Sequence, residues 1–199
     1  MSVPHGVIIA GGRGERLGGV RKAGLRIGGR RLVDRVAEAL GEVAPPLLIA
    51  VGPEDDGRAR RGGAVMVPDL AVPVSGPLAG LAAAVAALEA RGVSEGLLVS
   101  AAVDTPYLPQ DFAAVMADEL GDAPAALAAW GADFYPTNAI WRIEALADLP
   151  RRVMAGTAPG SLKALLADLG ARRVDWRGRC AADPFRNVNT VADLLALSR

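Results

Sequence analysis

Short apolar runs rich in aliphatic residues alternate along the chain with stretches of helical periodicity. The first run covers residues 6–10, and similar runs cover residues 47–51, 64–67 and 97–103. Runs of this length, bounded by glycine, proline or charge, are typical of strands buried on both faces. Their alternation with helical segments predicts βαβ units, and therefore an α/β fold with a mostly parallel sheet.

Helical periodicity is clear in several segments between and after these strands. Apolar residues recur on one face of residues 31–40, and alanine and leucine dominate residues 77–90, where a proline suits the first turn. A third helix is predicted from about residue 110. Ser161 is a favourable N-cap for a further helix that ends at Gly170.

The pattern in the second half of the chain is less regular. It predicts two strands at residues 125–130 and 138–143, joined by a hairpin across residues 131–136. Residues 172–176 predict a last strand, and residues 191–197 a last helix. Since no repeat, low-complexity segment or linker divides the chain, we expect it to form a single domain.

Charge and composition exclude several classes of protein. The 199 residues include 22 basic and 22 acidic side chains, so the net charge favours neither nucleic acid nor a membrane as the main partner. The single cysteine, Cys180, excludes an internal disulfide framework, and the single histidine, His5, argues against a histidine metal centre. No apolar run reaches the ~18 residues of a membrane span, and no signal-peptide pattern is present. We therefore expect a soluble cytoplasmic protein.

The most informative segment follows the first predicted strand and reads Ala10-Gly-Gly-Arg-Gly-Glu-Arg-Leu-Gly-Gly-Val-Arg-Lys22. Its glycines let backbone amides approach a phosphate or base, and Arg16 and Lys22 add positive charge. A Walker loop is excluded because Ala23 follows the lysine, and the dinucleotide fingerprint fails because Leu17 stands at its third glycine. The alternative is a glycine-rich turn with solvated arginines, but the position directly after a strand favours binding.

Asp104 follows the longest predicted buried strand, at the edge where open α/β sheets place their ligands. A carboxylate there suits Mg²⁺, which takes one or two protein carboxylates and completes its shell with water and phosphate oxygens. The alternative is that Asp104 only caps the turn formed with Thr105 and Pro106.

Four segments, in this order, resemble the signatures of the molybdenum cofactor guanylyltransferase family, within the nucleotide-diphospho-sugar transferase or glycosyltransferase-A-like proteins. They are Ile9-Ala-Gly-Gly with Arg16-Leu-Gly and Lys22, Pro68-Asp69 with Gly76-Pro-Leu-Ala-Gly80, Asp104-Thr-Pro-Tyr-Leu-Pro109, and Phe185-Arg-Asn-Val-Asn-Thr190. The first and third occur in several nucleotidyltransferases, whereas the combination is much more specific. The resemblance implies a three-layer α/β/α, Rossmann-like nucleotidyltransferase domain over residues 1–199.

The resemblance also implies an activity: transfer of GMP from GTP to the terminal phosphate of molybdopterin, with Mg²⁺ as cofactor and pyrophosphate as product. It implies that Lys22, Arg16 and Asp104 are catalytic, with Asp104 as the metal ligand and Asp69 near the guanine. The implied nucleotide-binding residues are Ile9, Ala10, Gly11, Gly12, Lys22, Asp69, Gly80 and Asp104, and the implied acceptor-binding residues are Asn187 and Asn189. Taken alone, Gly80 is equally well explained by tight packing at a helix start. For the two asparagines, the less favoured alternative is that their side chains cap the last helix.

Two positions depart from the family pattern. Arg21 replaces the usual aspartate before the signature lysine, and the strand ending at Gly52 lacks an asparagine that often contacts the nucleotide. The alternatives are a CTP-dependent molybdopterin cytidylyltransferase, a transferase for another phosphorylated metabolite, and a catalytically inactive nucleotide-binding protein. The pair Gly11 and Gly12 favours guanine by resemblance. Besides GTP and molybdopterin, molybdoenzyme maturation proteins are the expected partners.

Overall fold

The computed structural model describes residues 3–11, 22–53, 59–70 and 76–188. The strands are β1 (His5–Ile9), β2 (Arg26–Ile27), β3 (Arg30–Arg31), β4 (Ala44–Gly52), β5 (Ala64–Pro68), β6 (Leu97–Ala102), β7 (Ala125–Trp130), β8 (Asp133–Arg142) and β9 (Arg172–Asp175). The helices are α1 (Leu32–Ala39), α2 (Pro77–Glu89), α3 (Phe112–Leu120), α4 (Leu149–Met154) and α5 (Leu162–Asp168), and short 3₁₀ helices cover Lys22–Gly24 and Ile143–Leu146.

Seven strands form the central sheet in the order β5-β4-β1-β6-β8-β7-β9, and β2 pairs with β3 in a separate small hairpin. Strands β5, β4, β1 and β6 are parallel to one another, and β9 is parallel to β7. Only β8 among these seven is antiparallel to both of its neighbours. As a result, the start of β8 lies at the same edge of the sheet as the ends of β1 and β6.

The alternating direction of strand side chains divides the core into two layers. Ile8 and Ile49 pack with α1 and α3 on one face of the sheet. Ile9 and Leu48 pack with α2, α4 and α5 on the other face. Because both faces are covered, the central strands are apolar throughout, as the sequence indicated. The predicted three-layer α/β/α architecture with a mostly parallel sheet is therefore confirmed.

The second half of the chain differs from its sequence-based prediction. The strand predicted at residues 138–143 and its hairpin with residues 125–130 are confirmed, but their bounds are wrong: β8 begins at Asp133, and the turn comprises two residues and not the predicted residues 131–136. Arg173 donates hydrogen bonds to the carbonyl oxygens of this tight turn, which include that of Gly131 at 3.0 Å. Helix α4 and the β2–β3 hairpin were not predicted, and the predicted helix at residues 191–197 lies outside the described residues.

No helix within the described ranges is long and apolar enough to cross a membrane.

Candidate active site

A cavity of about 570 Å³ opens at the edge of the sheet where β1 and β6 end. One wall consists of residues 9–11, at the end of β1, and residues 76–77, at the start of α2. Residues 102–104, at the end of β6, lie in the middle, and residues 134–138 from β8 form the opposite wall together with Asn187. The cavity therefore lies where parallel α/β sheets usually bind their ligands.

Glycine is required at position 11 by the packing of the chain. Hydrogen bonds from Ala10 N to the Ala50 oxygen (2.8 Å) and from Val103 N to the Ile9 oxygen (3.1 Å) hold the end of β1 between its two neighbours. A Cβ atom on Gly11 would lie 2.8 Å from the nitrogen and 2.9 Å from the Cα of Gly52. The absent side chain thus lets the end of β4 approach, and it leaves the Gly11 backbone on the cavity wall.

The start of α2 supplies a second feature of this wall. Gly76 has a positive φ of 98°, and Pro77 begins the helix. The start of the helix, which carries the positive end of the helix dipole, therefore borders the cavity, an arrangement that favours phosphate. This role was not predicted from the sequence, although the Gly-Pro pair before an alanine-rich helix was a visible signal.

Gly80, in the same helix, faces the sheet. A Cβ atom there would lie 3.1 Å from the Cβ of Ala50 and 3.4 Å from the Cδ1 of Ile9. These contacts agree with tight helix–sheet packing, the alternative explanation of this glycine. A direct role for Gly80 in nucleotide binding stays a prediction.

Asp104 lines the middle of the cavity, two residues after β6 ends. The turn that carries it is secured by the fully buried Thr105, whose hydroxyl donates to the Ala102 oxygen at 2.7 Å. The Asp104 carbonyl oxygen accepts a hydrogen bond from the Val188 amide at 2.9 Å. Asp104 is thus part of the turn and also part of the cavity wall.

The segment that carries Asn187 is attached to β8 by aromatic packing. Phe185 is fully buried and lies 5.6 Å from the ring of Trp176 and 5.1 Å from the ring of Tyr135. The Tyr135 hydroxyl donates to the Asp183 carboxylate, whose other oxygen accepts from the Phe185 amide at 2.9 Å. Burial and the bond to Asp183 raise the pKa of Tyr135. Asn187 therefore reaches the cavity because its own segment is fixed on both sides.

Asp69 lies at the same edge of the sheet, directly after β5, where its amide donates to the Gly52 oxygen at 2.9 Å. It does not line the cavity among the described residues. Its side chain is half-buried, and burial raises the pKa of its carboxyl group. A partly desolvated carboxylate at a ligand-binding edge is typical of functional sites, so recognition of the guanine by Asp69 remains our hypothesis.

Of the site residues predicted from the sequence, the structure brings Ile9, Ala10, Gly11, Asp104 and Asn187 together around one cavity. Gly12, Arg16 and Asn189 lie outside the described residues, as does Arg21. Lys22 begins a short 3₁₀ helix, and its side chain also lies outside the description. Sequence reasoning missed the cavity wall made by residues 134–138. It placed the start of the strand at residue 138, whereas β8 begins at Asp133.

The described residues contain no group of three or more histidine, cysteine, aspartate or glutamate side chains arranged to hold a metal ion. The oxygen chemistry of Asp104 fits Mg²⁺, for which one or two protein carboxylates suffice when phosphate and water complete the shell.

Comparison with known proteins identifies the family. The family model described as "MobA-like NTP transferase domain" matches residues 6–194. The chain is 39% identical to the molybdenum cofactor guanylyltransferase of Acidiphilium cryptum, over 94% of this chain and 90% of that protein. It is 36% identical to the molybdenum cofactor guanylyltransferase of Cereibacter sphaeroides, over 95% of this chain and 92% of that protein.

Two solved structures show the same fold at low sequence identity. Molybdopterin-guanine dinucleotide biosynthesis protein A from Archaeoglobus fulgidus superposes with a TM-score of 0.73 at 20% identity, covering 98% of this chain and 96% of that one. The 2-C-methyl-D-erythritol 4-phosphate cytidylyltransferase of Thermus thermophilus has a TM-score of 0.68 at 20% identity, covering 100% of this chain and 98% of that one. The fold is thus shared with a cytidylyltransferase, so it does not by itself select the base. The family model and the identity to curated relatives show that the chain is a nucleotidyltransferase that belongs to the MobA-like NTP transferase family.

Proposed function

We propose that this protein transfers GMP from GTP to the terminal phosphate of molybdopterin, and thereby forms molybdopterin guanine dinucleotide and pyrophosphate. The names of its curated relatives support the choice of substrates. The observation that carries the proposal is the position of Asp104, in the middle of a cavity whose two walls differ in chemistry.

The wall made by Gly11, Gly76 and Pro77 offers backbone groups and a helix N-terminus. Such a surface suits the sugar and phosphates of a nucleotide, and it is continuous with the side of the sheet that carries Asp69. The opposite wall, made by residues 134–138 and Asn187, offers two aromatic rings, hydroxyls and amides. We assign this second wall to the acceptor.

Asp104 is the residue that would hold Mg²⁺, and Lys22 and Arg16 are proposed to neutralise the triphosphate. When bound, Mg²⁺ supplies charge neutralisation to the phosphate oxygens and to the pyrophosphate that leaves. Asp104 lies between the two walls, so it faces the position at which the two substrates must meet.

In the proposed reaction, an oxygen of the molybdopterin phosphate attacks the α-phosphorus of GTP in line. The new oxygen–phosphorus bond forms as the bond to the bridging oxygen of the β-phosphate breaks, and pyrophosphate leaves with that oxygen. The nucleophile is already an anion, so no general base is required. Catalysis then rests on alignment of the two substrates and on stabilisation of their charge.

The test is a turnover assay with molybdopterin and GTP, CTP or ATP, in which pyrophosphate and the dinucleotide are measured with Mg²⁺ and with a chelator. We expect product with GTP and Mg²⁺ only, and a loss of at least a hundredfold in Asp104→Asn. A preference for CTP would reassign the protein as a cytidylyltransferase. Nucleotide binding without pyrophosphate release, with every nucleotide, would leave an inactive nucleotide-binding protein.

A further inference from the structure

Asn138 lies at the point where β8 separates from both of its neighbours. The pairing of β6 with β8 ends at Ser100 and Ala139. The pairing of β7 with β8 passes from Leu127 and Ala139 directly to Ala128 and Tyr135. Residues 136–138 are therefore left out of both ladders, and the sheet opens there into the cavity.

The side chain of Asn138 forms a hydrogen bond to β6 at the point where the backbone pairing of β8 with β6 ends. Its Oδ1 accepts a hydrogen bond of 2.8 Å from the Ala102 amide, and the residue is 1% exposed. A backbone N–H can only donate, so the carboxamide oxygen must face it, and the orientation of the group follows from the chemistry. The amide nitrogen of Asn138 consequently points away from Ala102.

Neighbouring hydrogen bonds hold this arrangement in place. The Ser100 hydroxyl donates to the Thr137 oxygen at 2.9 Å, and it accepts from the Nε1 of the buried Trp141 at 3.0 Å. The separated segment is thus fixed from below by side chains that do not line the cavity. Asn138 is presented on a rigid support, as a precise ligand contact requires.

The amide nitrogen of Asn138 has no hydrogen-bond partner among the described residues, whose bond to this side chain is the one that Oδ1 accepts. Asn138 also lines the cavity. A nearly buried amide donor on a cavity wall is suited to an oxygen of a bound ligand.

We propose that Asn138 determines acceptor specificity by donating a hydrogen bond from Nδ2 to the phosphate of the acceptor. This inference rests on the proposed function, because it takes the wall beside β8 as the acceptor side. The sheet order β1-β6-β8 places Asn138 across Asp104 from the glycine wall assigned to the nucleotide. Its bond to Ala102, two residues before Asp104, keeps it near the position where the acceptor phosphate must react.

The decisive variant is Asn138→Asp, which keeps an oxygen for the Ala102 amide but replaces the donor with a second oxygen. At pH 8 the ionised carboxyl group repels the phosphate, so we expect the KM for molybdopterin to rise at least tenfold while the KM for GTP stays within twofold. As pH falls and the carboxyl group is protonated, it donates again, and the difference from the wild type shrinks. A loss of folded protein at high pH would lower the amount of active enzyme and leave both KM values unchanged, so a rise in the KM for molybdopterin alone distinguishes a contact with the acceptor from a role in folding.

The comparison variant is Ser100→Ala, which removes the bonds to Thr137 and Trp141 that fix the segment of Asn138. Because the Asn138 donor itself is kept, we expect a lower Tm and a rise in the KM for molybdopterin that is smaller than in Asn138→Asp and does not shrink as the pH falls, with the KM for GTP within twofold of the wild type. A KM for molybdopterin in Asn138→Asp within twofold of the wild type overturns the inference, and so does an equal rise in the KM for GTP.

Direct titration of molybdopterin into the protein without GTP separates this inference from the proposed function. If the wild type binds molybdopterin but releases no pyrophosphate, the proposed function fails, and a tenfold loss of binding in Asn138→Asp still supports the inference. If the wild type and Asn138→Asp bind molybdopterin equally well, the role of Asn138 is refuted. Turnover by the wild type in that case still supports the proposed function. Absence of binding to the wild type overturns both.

Discussion

The close approach of Gly11 to Gly52 makes a quantitative prediction for Gly11→Ala. The new methyl carbon would lie 2.8 Å from the Gly52 nitrogen, 0.6 Å short of the 3.4 Å at which ordinary contacts begin. The obstructing atoms belong to the backbone, and Gly52 is tied to β5 by the hydrogen bond that its oxygen accepts from the Asp69 amide. Relief therefore requires a shift of the strand end, and overpacking of this kind costs about 1–3 kcal/mol.

A cost of about 2 kcal/mol lowers the Tm of a protein of this size by about 4–8 °C. The assay is thermal unfolding, together with urea unfolding to obtain the free energy directly. We expect the affinity for GTP to fall as well, because the same shift moves the residue 11 backbone on the cavity wall.

The matched control is Gly62→Ala. A Cβ atom on Gly62 would meet none of the described residues within 4 Å, and its φ is not positive, so the free energy of unfolding should change by less than about 0.5 kcal/mol. If the two variants unfold within 1 °C of each other, the contact between Gly11 and Gly52 does not constrain the fold, and our explanation of this glycine is refuted.

Three further variants test the other parts of the site. Asp69→Asn should stabilise the unliganded protein at pH 7 and weaken GTP binding. Burial raises the pKa of the Asp69 carboxyl group in the folded state, so at pH values above its ordinary pKa of 3.8 its ionisation disfavours the folded state. Urea unfolding should show that gain disappearing below pH 3.8, and a gain that persists there would contradict the assignment. Gly80→Ala should leave the Kd for GTP within about twofold, because the glycine faces Ala50 and Ile9; a tenfold loss in titration would restore a role in nucleotide binding. Tyr135→Phe should cost about 0.5–1.5 kcal/mol and raise the KM for the acceptor alone, since it loses the bond to Asp183. Because the pKa of Tyr135 is raised above 10.0 in the folded state, the wild type should lose stability more steeply than this variant as pH rises past 10, which alkaline unfolding curves will measure.

The sequence by itself determined the local elements and much of one cavity wall. Residues 6–10 and 97–103 are apolar runs of strand length. A turn-forming residue, glycine or proline, and a charged residue follow each run, so hydrophobic patterning and turn chemistry suffice to predict strands there. Parallel strands in an α/β fold bind ligands at their carboxyl ends, and this rule alone placed Gly11 and Asp104 at the site. Each of these inferences depends only on residues that are close together in the chain.

Only the tertiary structure decided the other wall. The position of β8 beside β6, and the gap in its pairing at residues 136–138, depend on β6, which is distant in sequence. The predicted hairpin implied that β8 is antiparallel to β7, but the alternation of side chains along a strand could not show which strand lies on its other side or that β8 starts at the cavity. The burial of Phe185 against Phe112 and Tyr135, which fixes Asn187 in place, likewise depends on contacts between segments far apart in the chain. A side chain such as Asn138 therefore acquires its role from strand register, which no local pattern encodes.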